Sequence, residues 1–387
     1  MTDANATDGN ATAGNATAGD ATPGRGPVGV GVIGAGVISS QYLENLTAFA
    51  DLEVRFIADI DESRAQAQAE KYGIAGFGSV EQLLQDDGIE IVVNLTIPAV
   101  HVEVALQVLA AGKHVWTEKP FALDRESGTR LLDAAHAADL RVATAPDTFL
   151  GAGLQSARRL LESGRIGAPL TALTLLQSPG PESWHPNPDF LFQEGAGPLF
   201  DVGPYYVTAL VQLFGPAKRV SAVSAKAKAT RVIGSGPRAG ESFDVTVPTY
   251  VAALIEFESG QSAQSVFSFD SKLRRTQFEV AGVDGTLVVP DPNMFDGDLV
   301  VWTDAAEPTT VAATGSTTTR GTGVVELARA IRAGRPERAS GEQAYHVLDI
   351  MVSTIEAAES GQPVDIRSTV AVAPPLPEDW DPRARTL

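Results

Sequence analysis

The stretch "PVGVGVIGAGVISSQYLENL", residues 27–46, determines the fold that we predict for the first half of the chain. Its apolar run from Val28 to Ile33 is typical of a strand buried in a parallel sheet. The turn Gly34-Ala35-Gly36 follows, and an amphipathic pattern then runs through Leu43 and Leu46. Glycines let the backbone approach a pyrophosphate, and the N-terminus of the next helix offers free N–H groups. The order of strand, glycine turn and helix therefore predicts a dinucleotide-binding unit.

The glycine turn departs from the usual dinucleotide fingerprint at one position. Ser39 stands where the third glycine of G-x-G-x-x-G would be, although serine is still small enough for close packing of helix on strand. Because the motif alone is common, a plain tight turn is the alternative interpretation. If the turn does bind a cofactor, the candidates for contact are Gly34, Gly36, Val37 and Ile38.

An acidic residue follows the second predicted strand. "LEVRFIADIDESRAQAQAEKYG", residues 52–73, predicts a strand and then a helix, with Asp59 at the end of the strand. The fingerprint places an acidic residue about 20 residues after the glycines, where it binds the ribose 2′-hydroxyl. The alternative is that Asp59 or Asp61 caps the helix, and both roles can hold at once. No lysine or arginine directly follows Asp59, so we expect NAD to be preferred over NADP.

A third unit, "IEIVVNLTIPAVHVEVALQVLAAGKHVWTEKPFALD", spans residues 89–124. It predicts a buried strand, a break at Thr96-Ile97-Pro98, a helix over residues 99–111, and a strand ending on Glu118-Lys119-Pro120. A lysine at the carboxyl end of a parallel strand lies where open α/β sheets bind ligands, although a solvated lysine is the alternative. His101 closely follows the break and could line the cofactor cleft.

The order of these motifs resembles the glucose–fructose oxidoreductase, inositol dehydrogenase and MocA family. The resemblance continues in "LLESGRIGAPL" (160–170), which is similar to the link into the second domain of that family. "GPLFDVGPYYVTALVQLFGP" (197–216) resembles its second-domain motif, and "SGEQAYHVLDIMVSTIEAAESGQPVDI" (340–366) its closing helix. The resemblance covers about residues 28–368. It implies a Rossmann-type doubly wound parallel sheet and a C-terminal α+β domain with an open, mainly antiparallel sheet.

The residues after the second-domain motif support this fold class independently. A predicted helix over residues 202–214 is followed by β-type stretches such as "TYVAALIEFES" and "QSAQSVFSF", separated by turn signals. Consecutive strands without intervening helices predict antiparallel pairing. One face of such an open sheet needs a cover, and another subunit is the usual candidate. We therefore expect a homodimer or a homotetramer.

The resemblance and the composition together divide the chain into four parts. Residues 5–24 repeat a five-residue unit, "NATDG NATAG NATAG DATPG", whose small side chains cannot offset the entropy of folding. We predict a disordered tail, residues 1–27, and we treat its N-A-T triplets as incidental glycosylation motifs. It lacks the basic start and apolar stretch of a signal peptide, so we expect a cytoplasmic protein. The other parts are a dinucleotide-binding domain (28–147), a substrate-binding and oligomerisation domain (148–368) and a C-terminal extension (369–387).

Composition excludes several classes of function. The 387 residues carry 48 acidic and 29 basic side chains, a net charge of −19, which argues against binding to nucleic acid. There is no cysteine, which excludes a disulfide, a thiolate nucleophile and a thiolate metal site. The histidines show no metal-ligand spacing, so we predict no metal. No apolar run reaches the 18 residues of a candidate membrane span.

The resemblance also assigns roles to residues of the E-K-P and D-V-G-P-Y motifs. It implies that Glu118 and Lys119 contact the cofactor, together with Thr96 and Pro98, and that Lys119 holds the reacting oxygen. Asp201 and the residue four positions later, here Tyr205, would complete a proton relay, and a helix places both on one face. The alternative is that Asp201 caps the helix while Tyr205 packs in the interior. Asp201 could also do both.

Tyr205 is an unusual acid–base group because the reference pKa of tyrosine is about 10. We expect the Lys119 ammonium to lower the pKa of Tyr205, which would suit a general acid in ketone reduction. Upstream lies "SPGPESWHPNPDFLFQEGAG", residues 178–197, where Trp184, His185 and Phe190 precede the catalytic motif. Aromatic side chains often line carbohydrate sites.

We therefore name Trp184, His185, Phe190 and Tyr206 as candidate substrate contacts, and His185 as a second candidate for the acid–base role. An aromatic surface loop is the alternative. The resemblance implies hydride transfer between a nicotinamide and a secondary alcohol or ketone of a sugar, cyclitol or related polyol. A glycosidase that oxidises its substrate transiently and a non-catalytic NAD-binding sugar sensor are the alternatives. Retention of Lys119, Asp201 and a phenol favours the oxidoreductase.

Overall fold

The computed structural model describes residues 26–387. The predicted disordered tail, residues 1–27, lies almost wholly outside the described part of the chain. The first half forms a six-stranded parallel sheet of order β3-β2-β1-β4-β5-β6. Its strands are β1 (Val28–Ile33), β2 (Leu52–Ala58), β3 (Gly76–Gly78), β4 (Ile91–Asn94), β5 (His114–Thr117) and β6 (Val142–Thr144).

The predicted doubly wound sheet is confirmed, and its strand order locates the ligand-binding edge. β1 pairs with β2 on one side and with β4 on the other, so successive crossovers run in opposite directions from β1. Open α/β sheets bind ligands at the carboxyl ends of strands at this point. The connecting helices are α1 (Ser39–Leu46), α2 (Glu62–Tyr72), α3 (Val80–Leu84), α4 (His101–Ala110) and α5 (Arg125–Ala137). The helix predicted over residues 99–111 is therefore shorter, because its first turn is a 3-10 helix, Pro98–Val100.

The second half forms a nine-stranded, mostly antiparallel sheet, as predicted. Its order is β16-β15-β14-β13-β7-β12-β11-β8-β17, and the pairing of β7 with β12 is parallel. Its strands are β7 (Pro169–Gln177), β8 (Ala217–Ala225), β11 (Tyr250–Phe257), β12 (Ser262–Ser268), β13 (Arg275–Gly282), β14 (Thr286–Val288), β15 (Leu299–Trp302), β16 (Thr309–Val311) and β17 (Val364–Asp365). The central strand β7 is not among the strands predicted, since only its start was included, as part of the interdomain link.

Three helices accompany this sheet, and the alternation of its strands separates a covered face from an exposed face. Of the four helices in this half of the chain, α6 (Ala152–Glu162), α7 (Gly197–Phe214) and α9 (Gly341–Ser360) pack on this sheet, whereas α8 (Thr322–Arg332) packs against α1 and β6 of the first sheet. Val251 and Ile255 of β11 are buried in the common core with α7 and α9. On the opposite face, Val223, Leu254 and Trp302 are 62%, 42% and 48% exposed. None of the helices within residues 26–387 combines the length and the apolar character that crossing a membrane requires.

A second, smaller core fixes the aromatic segment of residues 178–197. The strands β9 (Thr230–Val232) and β10 (Ser242–Asp244) form a hairpin beside it. Phe192 is fully buried there against Phe243 and Phe269. Arg231 lies over the Phe192 ring, with 4.9 Å between the guanidinium carbon and the ring centroid. The segment is therefore irregular, as predicted, but it is anchored by apolar packing and by a buried cation.

The last described residues run back across the dinucleotide-binding half, and we call residues 366–387 the C-terminal strap. Asp51, in the turn before β2, is fully buried and accepts hydrogen bonds from Thr386 N and Oγ1, both at 2.7 Å, and from Leu387 N at 3.0 Å. Arg329 of α8 donates to Asp51 at 2.7 Å and to the backbone carbonyls of Asp381 and Ala384. The last residues of the strap are therefore fixed to the dinucleotide-binding half by a carboxylate that accepts four hydrogen bonds.

Candidate active site

The glycine turn has the shape that a close backbone approach requires. Gly34 has a φ of +104°, and a Cβ there would lie 2.7 Å from the carbonyl oxygen of Leu95. A Cβ on Gly36 would meet nothing within 4 Å, so this side of the turn is open. Ser39, the residue that departs from the fingerprint, is fully buried, and its hydroxyl donates to the Gly36 carbonyl at 2.6 Å. The serine thus closes the turn onto α1.

Asp59 holds the glycine turn in place. Its carboxylate accepts from Ala35 N at 2.7 Å and from Asp61 N at 2.9 Å. Asp61 caps α2 by accepting from Ser63 N at 3.1 Å. Of the two alternatives for the cap, the structure therefore assigns it to Asp61. Asp59 remains partly exposed, and a carboxylate has acceptor sites beyond these two bonds.

Exposed aliphatic side chains follow the carboxyl ends of three neighbouring strands. Val37 after β1, Ile60 after β2 and Ile97 after β4 are 94%, 98% and 66% exposed. Ile38, beside Val37, is partly buried at the start of α1. Apolar side chains in these positions suit the flat faces of adenine and nicotinamide rings, and the open glycine turn between them suits a pyrophosphate. The residues present therefore fit a dinucleotide.

His101 joins two turns of this edge rather than facing the cleft. It is 1% exposed, and its ring nitrogens lie 2.8 Å from the Thr96 carbonyl oxygen and 3.0 Å from that of Pro120. Burial lowers the pKa of His101 below its usual range. Thr96 in turn donates its hydroxyl to Asn94 at 2.7 Å. His101 thus sets the spacing between the Thr96-x-Pro98 turn and the lysine motif.

Lys119 and Asp201 form an ion pair between the two halves of the molecule. Lys119 Nζ donates to Asp201 Oδ1 at 2.9 Å and to the Asp201 carbonyl oxygen at 2.8 Å. Burial alone would lower the pKa of Lys119, but the Asp201 and Glu118 carboxylates raise it above its usual range. Lys119 is therefore a cation at neutral pH. Glu118 faces the interior, where it accepts from the Tyr42 hydroxyl at 2.7 Å and from Lys119 N at 3.0 Å.

Asp201 is not the helix cap that one interpretation of the motif predicted. The helix predicted over residues 202–214 begins earlier, at Gly197, with Ala196 as its N-cap residue. Pro198 occupies the first turn, where its missing N–H costs no hydrogen bond. Asp201 therefore lies inside α7, and its carboxylate is available to Lys119.

Tyr205 lies beside the ion pair but is not hydrogen-bonded to it. Lys119 Nζ is 5.6 Å from the centroid of the Tyr205 ring, and the Tyr205 hydroxyl accepts from Arg320 Nη2 at 3.2 Å. Burial raises the pKa of Tyr205 above its ordinary value, and the two cations offset this only in part. Lys119 does lower the pKa of Tyr205, as expected, but desolvation of the phenolate outweighs this attraction, so the net pKa lies above the ordinary value instead of below it.

A cleft of about 440 Å³ opens beside Lys119 and Asp201 at the carboxyl edge of the first sheet, and Tyr205 is not among its lining residues. The cleft brings Lys119 and Asp201 together with Pro98, Ile97 and Phe190. Other apolar lining comes from Leu123, Leu191, Ala196 and Phe200. Most of the lining is aliphatic or aromatic, with a few charged or amide groups at its rim, as in many small-molecule sites.

The aromatic residues that we predicted as substrate contacts do not all lie in the cleft. Trp184, His185 and Phe190 stack edge to face, with 5.6 Å between successive ring centroids. Of these three, only Phe190 lines the cleft, and His185 Nδ1 accepts from Asn187 N at 3.0 Å. Tyr206 is fully buried against Phe267 and Phe278, so its ring has no access to a ligand in the cleft.

Sequence reasoning missed Arg320, which contacts the Tyr205 hydroxyl, and Asp147, whose charge interacts with that of Arg320. Arg320 precedes α8 in "TTTRGTG", and Asp147 follows β6 in "APDTF". Asp147 is fully buried and accepts from Gly321 N and Gly323 N, both at 3.0 Å. Neither residue belongs to a motif with a known spacing, and the contact of Arg320 with Tyr205 joins positions 115 residues apart. No local signal in the sequence could have found them.

The sheet, the open glycine turn and the lysine at the carboxyl edge define a nicotinamide-dependent oxidoreductase with a Rossmann fold. Sequence models of one family match both halves of the chain. The first, described as the oxidoreductase family with an NAD-binding Rossmann fold, matches residues 28–145, and the second, the GFO/IDH/MocA C-terminal domain, matches residues 154–288. The chain belongs to this GFO/IDH/MocA family.

Relatives of this chain act on sugars and related compounds. D-xylose 1-dehydrogenase (NADP(+)) 2 of Haloferax volcanii is 26% identical over 324 residues, which are 81% of this chain and 92% of that protein. The 1,5-anhydro-D-fructose reductase of Ensifer adhaerens is 26% identical over 61% of this chain and 68% of its own length. Levoglucosan dehydrogenase in complex with NADH and levoglucosan superposes with a TM-score of 0.75 at 23% identity, covering 88% of this chain and all of that one. That last likeness is one of fold.

Proposed function

We propose that this protein is an NAD-dependent dehydrogenase or reductase that interconverts a secondary alcohol and a ketone on a sugar, cyclitol or related polyol. One observation carries the proposal: Lys119, held as a cation by Asp201, lines a cleft at the carboxyl edge of the dinucleotide-binding sheet, and its Nζ lies 5.6 Å from the centroid of the Tyr205 ring. A protein that only sensed NAD and a sugar would not need this combination.

Several side chains around the cleft have separate roles in hydride transfer. A bound nicotinamide supplies or accepts the hydride. Lys119, as a fixed cation, donates a hydrogen bond to the reacting oxygen and stabilises the negative charge that develops there. Asp201 holds the ammonium in place, and Tyr205 exchanges a proton with the same oxygen. The apolar part of the cleft, including Phe190, excludes water and packs against the C–H face of the substrate ring.

A substrate panel tests the proposal. Pentoses, hexoses, cyclitols, anhydrosugars and ketosugars would each be mixed with the protein and followed by the absorbance of the reduced nicotinamide, with NAD and NADP in parallel. Turnover on at least one polyol or ketosugar, absent in Lys119→Ala, supports the proposal. Hydrolysis of a glycoside without net formation of reduced cofactor would instead favour the glycosidase. Binding of NAD and sugars with no chemistry across the panel would favour a sensor.

We also propose that two copies associate through the exposed face of the nine-stranded sheet. Val223, Leu254 and Trp302 place apolar surface on that face, and burying it is favourable in water. Light scattering at micromolar concentration should give at least twice the mass of one chain. Val223→Glu should lower that mass, whereas Val232→Glu, at an exposed position on the separate β9–β10 hairpin, should not. A single-chain mass for the unaltered protein would contradict this proposal.

A further inference from the structure

Arg320 reaches the hydroxyl of Tyr205 from the turn that precedes α8. Its Nη2 donates to the Tyr205 oxygen at 3.2 Å, and its guanidinium carbon lies 5.7 Å from the centroid of the Tyr205 ring. The same nitrogen lies 3.4 Å from Asn293 Oδ1. Nη1 is buried and has no hydrogen-bond partner among residues 26–387. The arginine is thus placed by the fold against one catalytic candidate, with Tyr205 as its nearest polar contact.

The donor and acceptor roles in this contact follow from chemistry. A guanidinium only donates, so the Tyr205 oxygen must be the acceptor. The phenol still has its own proton to donate, and among the described residues no acceptor lies in hydrogen-bonding position for it. Lys119, the other polar group near the ring, also only donates. The proton of Tyr205 is therefore left for an oxygen that a ligand brings.

We propose that Arg320 is the positioning residue of Tyr205: it holds the phenol oxygen as an acceptor, directs the O–H toward the cleft, and stabilises the tyrosinate formed when the proton moves to the substrate. This inference rests on the oxidoreductase function proposed above and adds to it a residue outside both family motifs.

In the direction of reduction, the substrate takes up one hydride and one proton. The carbonyl carbon of the substrate accepts a hydride, with its electron pair, from the reduced nicotinamide, which becomes oxidised. The π electron pair of the carbonyl moves onto oxygen, and that oxygen takes the proton of Tyr205. The O–H bond of the phenol breaks, its electron pair stays on Tyr205, and the resulting negative charge lies against the cations of Arg320 and Lys119. Oxidation of the alcohol runs through the same steps in reverse.

The charges that face Tyr205 come from three elements. Lys119 and Glu118 lie at the end of β5, Asp201 lies one turn earlier in α7, and Arg320 lies before α8. The two cations lower the pKa of Tyr205, and the two carboxylates and burial raise it. Removing Arg320 deletes one of the two opposing cations. The pKa of Tyr205 should therefore rise further in a variant without the guanidinium.

Three variants separate positioning from mere loss of packing. Arg320→Met removes the charge and keeps an aliphatic stem, and Arg320→Lys restores a cation. Arg332→Met is the matched control, because Arg332 also lies at α8 and pairs at 2.6 Å with Glu90 instead of contacting Tyr205. Full-length protein would be labelled with 3-fluorotyrosine, and the resonance of residue 205 would be assigned through Tyr205→Phe.

We expect the fluorine titration of residue 205 to move up by about one pH unit or more in Arg320→Met, which is the size of a contact with one charge. It should return toward the original value in Arg320→Lys and stay unchanged in Arg332→Met. An unchanged titration in both Arg320 variants would overturn the proposal. Because this readout needs no turnover, it decides the role of Arg320 even if the substrate panel fails.

Kinetics with an active compound supply a second readout. Arg320→Met should lower kcat for reduction about 10²-fold, the cost of a misplaced group, while KM changes little. The alkaline limb of its pH–rate profile should shift to higher pH, since the phenol stays protonated longer. Arg320→Lys should recover part of kcat. Equal losses of kcat in Arg320→Met and Arg332→Met would assign the effect to stability and overturn the positioning role.

Discussion

Two buried aspartates, Asp51 and Asp147, differ in the number of hydrogen bonds that their carboxylates accept. Both are fully buried. Asp51, remote from the cleft, accepts four hydrogen bonds, from Arg329, from the backbone and hydroxyl of Thr386, and from Leu387 N. Asp147, near Arg320, accepts two backbone N–H groups on one oxygen, and its other oxygen has no partner among the described residues.

This difference in hydrogen bonding shifts the pKa values of the two aspartates in opposite directions. Burial alone would raise the pKa of Asp51, but its hydrogen bonds from Thr386, Leu387 and Arg329 lower it. Burial raises the pKa of Asp147 to about 6, because fewer donors oppose the loss of water. Around Arg320, Asp147 Oδ1 and Arg320 Nη1 make no hydrogen bond among the described residues, and the Tyr205 hydroxyl finds no acceptor there. Glu182 Oε2, Arg231 Nε and Arg332 Nε also lack partners in the described part of the chain, so unused hydrogen-bonding capacity alone does not mark the functional region.

The largest effect should come from Lys119, the cation of the cleft. Lys119→Ala should lower turnover about 10⁴-fold, because the negative charge that develops on the reacting oxygen then loses its cation. This is the range expected for removal of a positioned catalytic group. The affinity for NAD, measured by calorimetry, should change much less. A Lys119→Ala protein that lost cofactor binding and turnover in equal measure would place the lysine in cofactor binding alone.

A Tyr205→Phe variant tests whether the phenol, which has no hydrogen-bond acceptor among the described residues, transfers the proton. Tyr205→Phe removes only the phenol oxygen and should cost about 10²–10⁴-fold in turnover, the usual contribution of a general acid or base. Tyr206→Phe is the matched control, since its hydroxyl makes one long contact of 3.3 Å with Asp291 in the core. If Tyr205→Phe kept near-normal turnover while His185→Ala abolished it, the acid–base role would belong to His185.

Asp51 should matter for stability rather than for turnover. Asp51→Ala leaves the guanidinium of Arg329 buried without its carboxylate, which costs about 3–5 kcal/mol of unfolding free energy in comparable cases. Urea denaturation followed by circular dichroism would measure it. Turnover per folded molecule should stay near that of the unaltered protein. A loss of turnover without a loss of stability would contradict a purely structural role for Asp51.

The two aspartates should also respond to pH with opposite sign. Asp51 has a lowered pKa, so its stabilising effect is present above the unfolded value of 3.8 and is lost as pH falls through the lower folded value. Asp147 has a raised pKa, so its favourable effect is present below pH 3.8 and is lost as pH rises through about 6. Asp147→Asn should therefore stabilise the protein above pH 6, by about 1–3 kcal/mol, and flatten the slope of stability between pH 4 and 6. A destabilised Asp147→Asn protein at pH 8 would contradict this.

Asp59 is the intermediate case: it is partly exposed, one of its oxygens accepts from Ala35 N in the glycine turn, and the other accepts from Asp61 N. Asp59→Ala should weaken NAD binding by about 1.5–3 kcal/mol through loss of a charge-assisted hydrogen bond to the ribose. The preference for NAD over NADP should narrow with it, because the carboxylate no longer repels a 2′-phosphate. Calorimetry with both cofactors measures the two effects. Tighter binding of NADP than NAD by the unaltered protein would refute the preference.

The first half of the fold was predictable because its signals are local. Apolar runs, the glycine turn and the E-K-P lysine each lie within a few residues, and parallel strands bring their carboxyl ends to one edge without further information. The strand β7 was not predictable from its surroundings, since its place in the centre of the second sheet depends on partners 91 to 113 residues later. Its burial alternates only weakly, so no strict period of two distinguishes it.

The site was predictable only where a motif carried it. The spacing of Asp201 and Tyr205 followed from a helix, and their approach to Lys119 followed from resemblance. The start of α7 was missed because Pro198 and Gly197, usually turn residues, open a helix here. The pKa of Tyr205 was missed because the sequence does not show how deeply a side chain is buried, and burial outweighs Lys119.

The C-terminal strap has a consequence for the order of synthesis. Asp51 lies beside the first strands of the chain, yet Thr386 and Leu387, which supply three of its four hydrogen bonds, follow it by 335 and 336 residues. A ribosome delivers these partners only after both sheets have left the exit tunnel, whereas domains begin to fold while translation continues. The dinucleotide-binding half therefore gains these three hydrogen bonds only after the residues of the second sheet have been synthesised. Its full stability depends on a segment of the chain that is made long after its own strands.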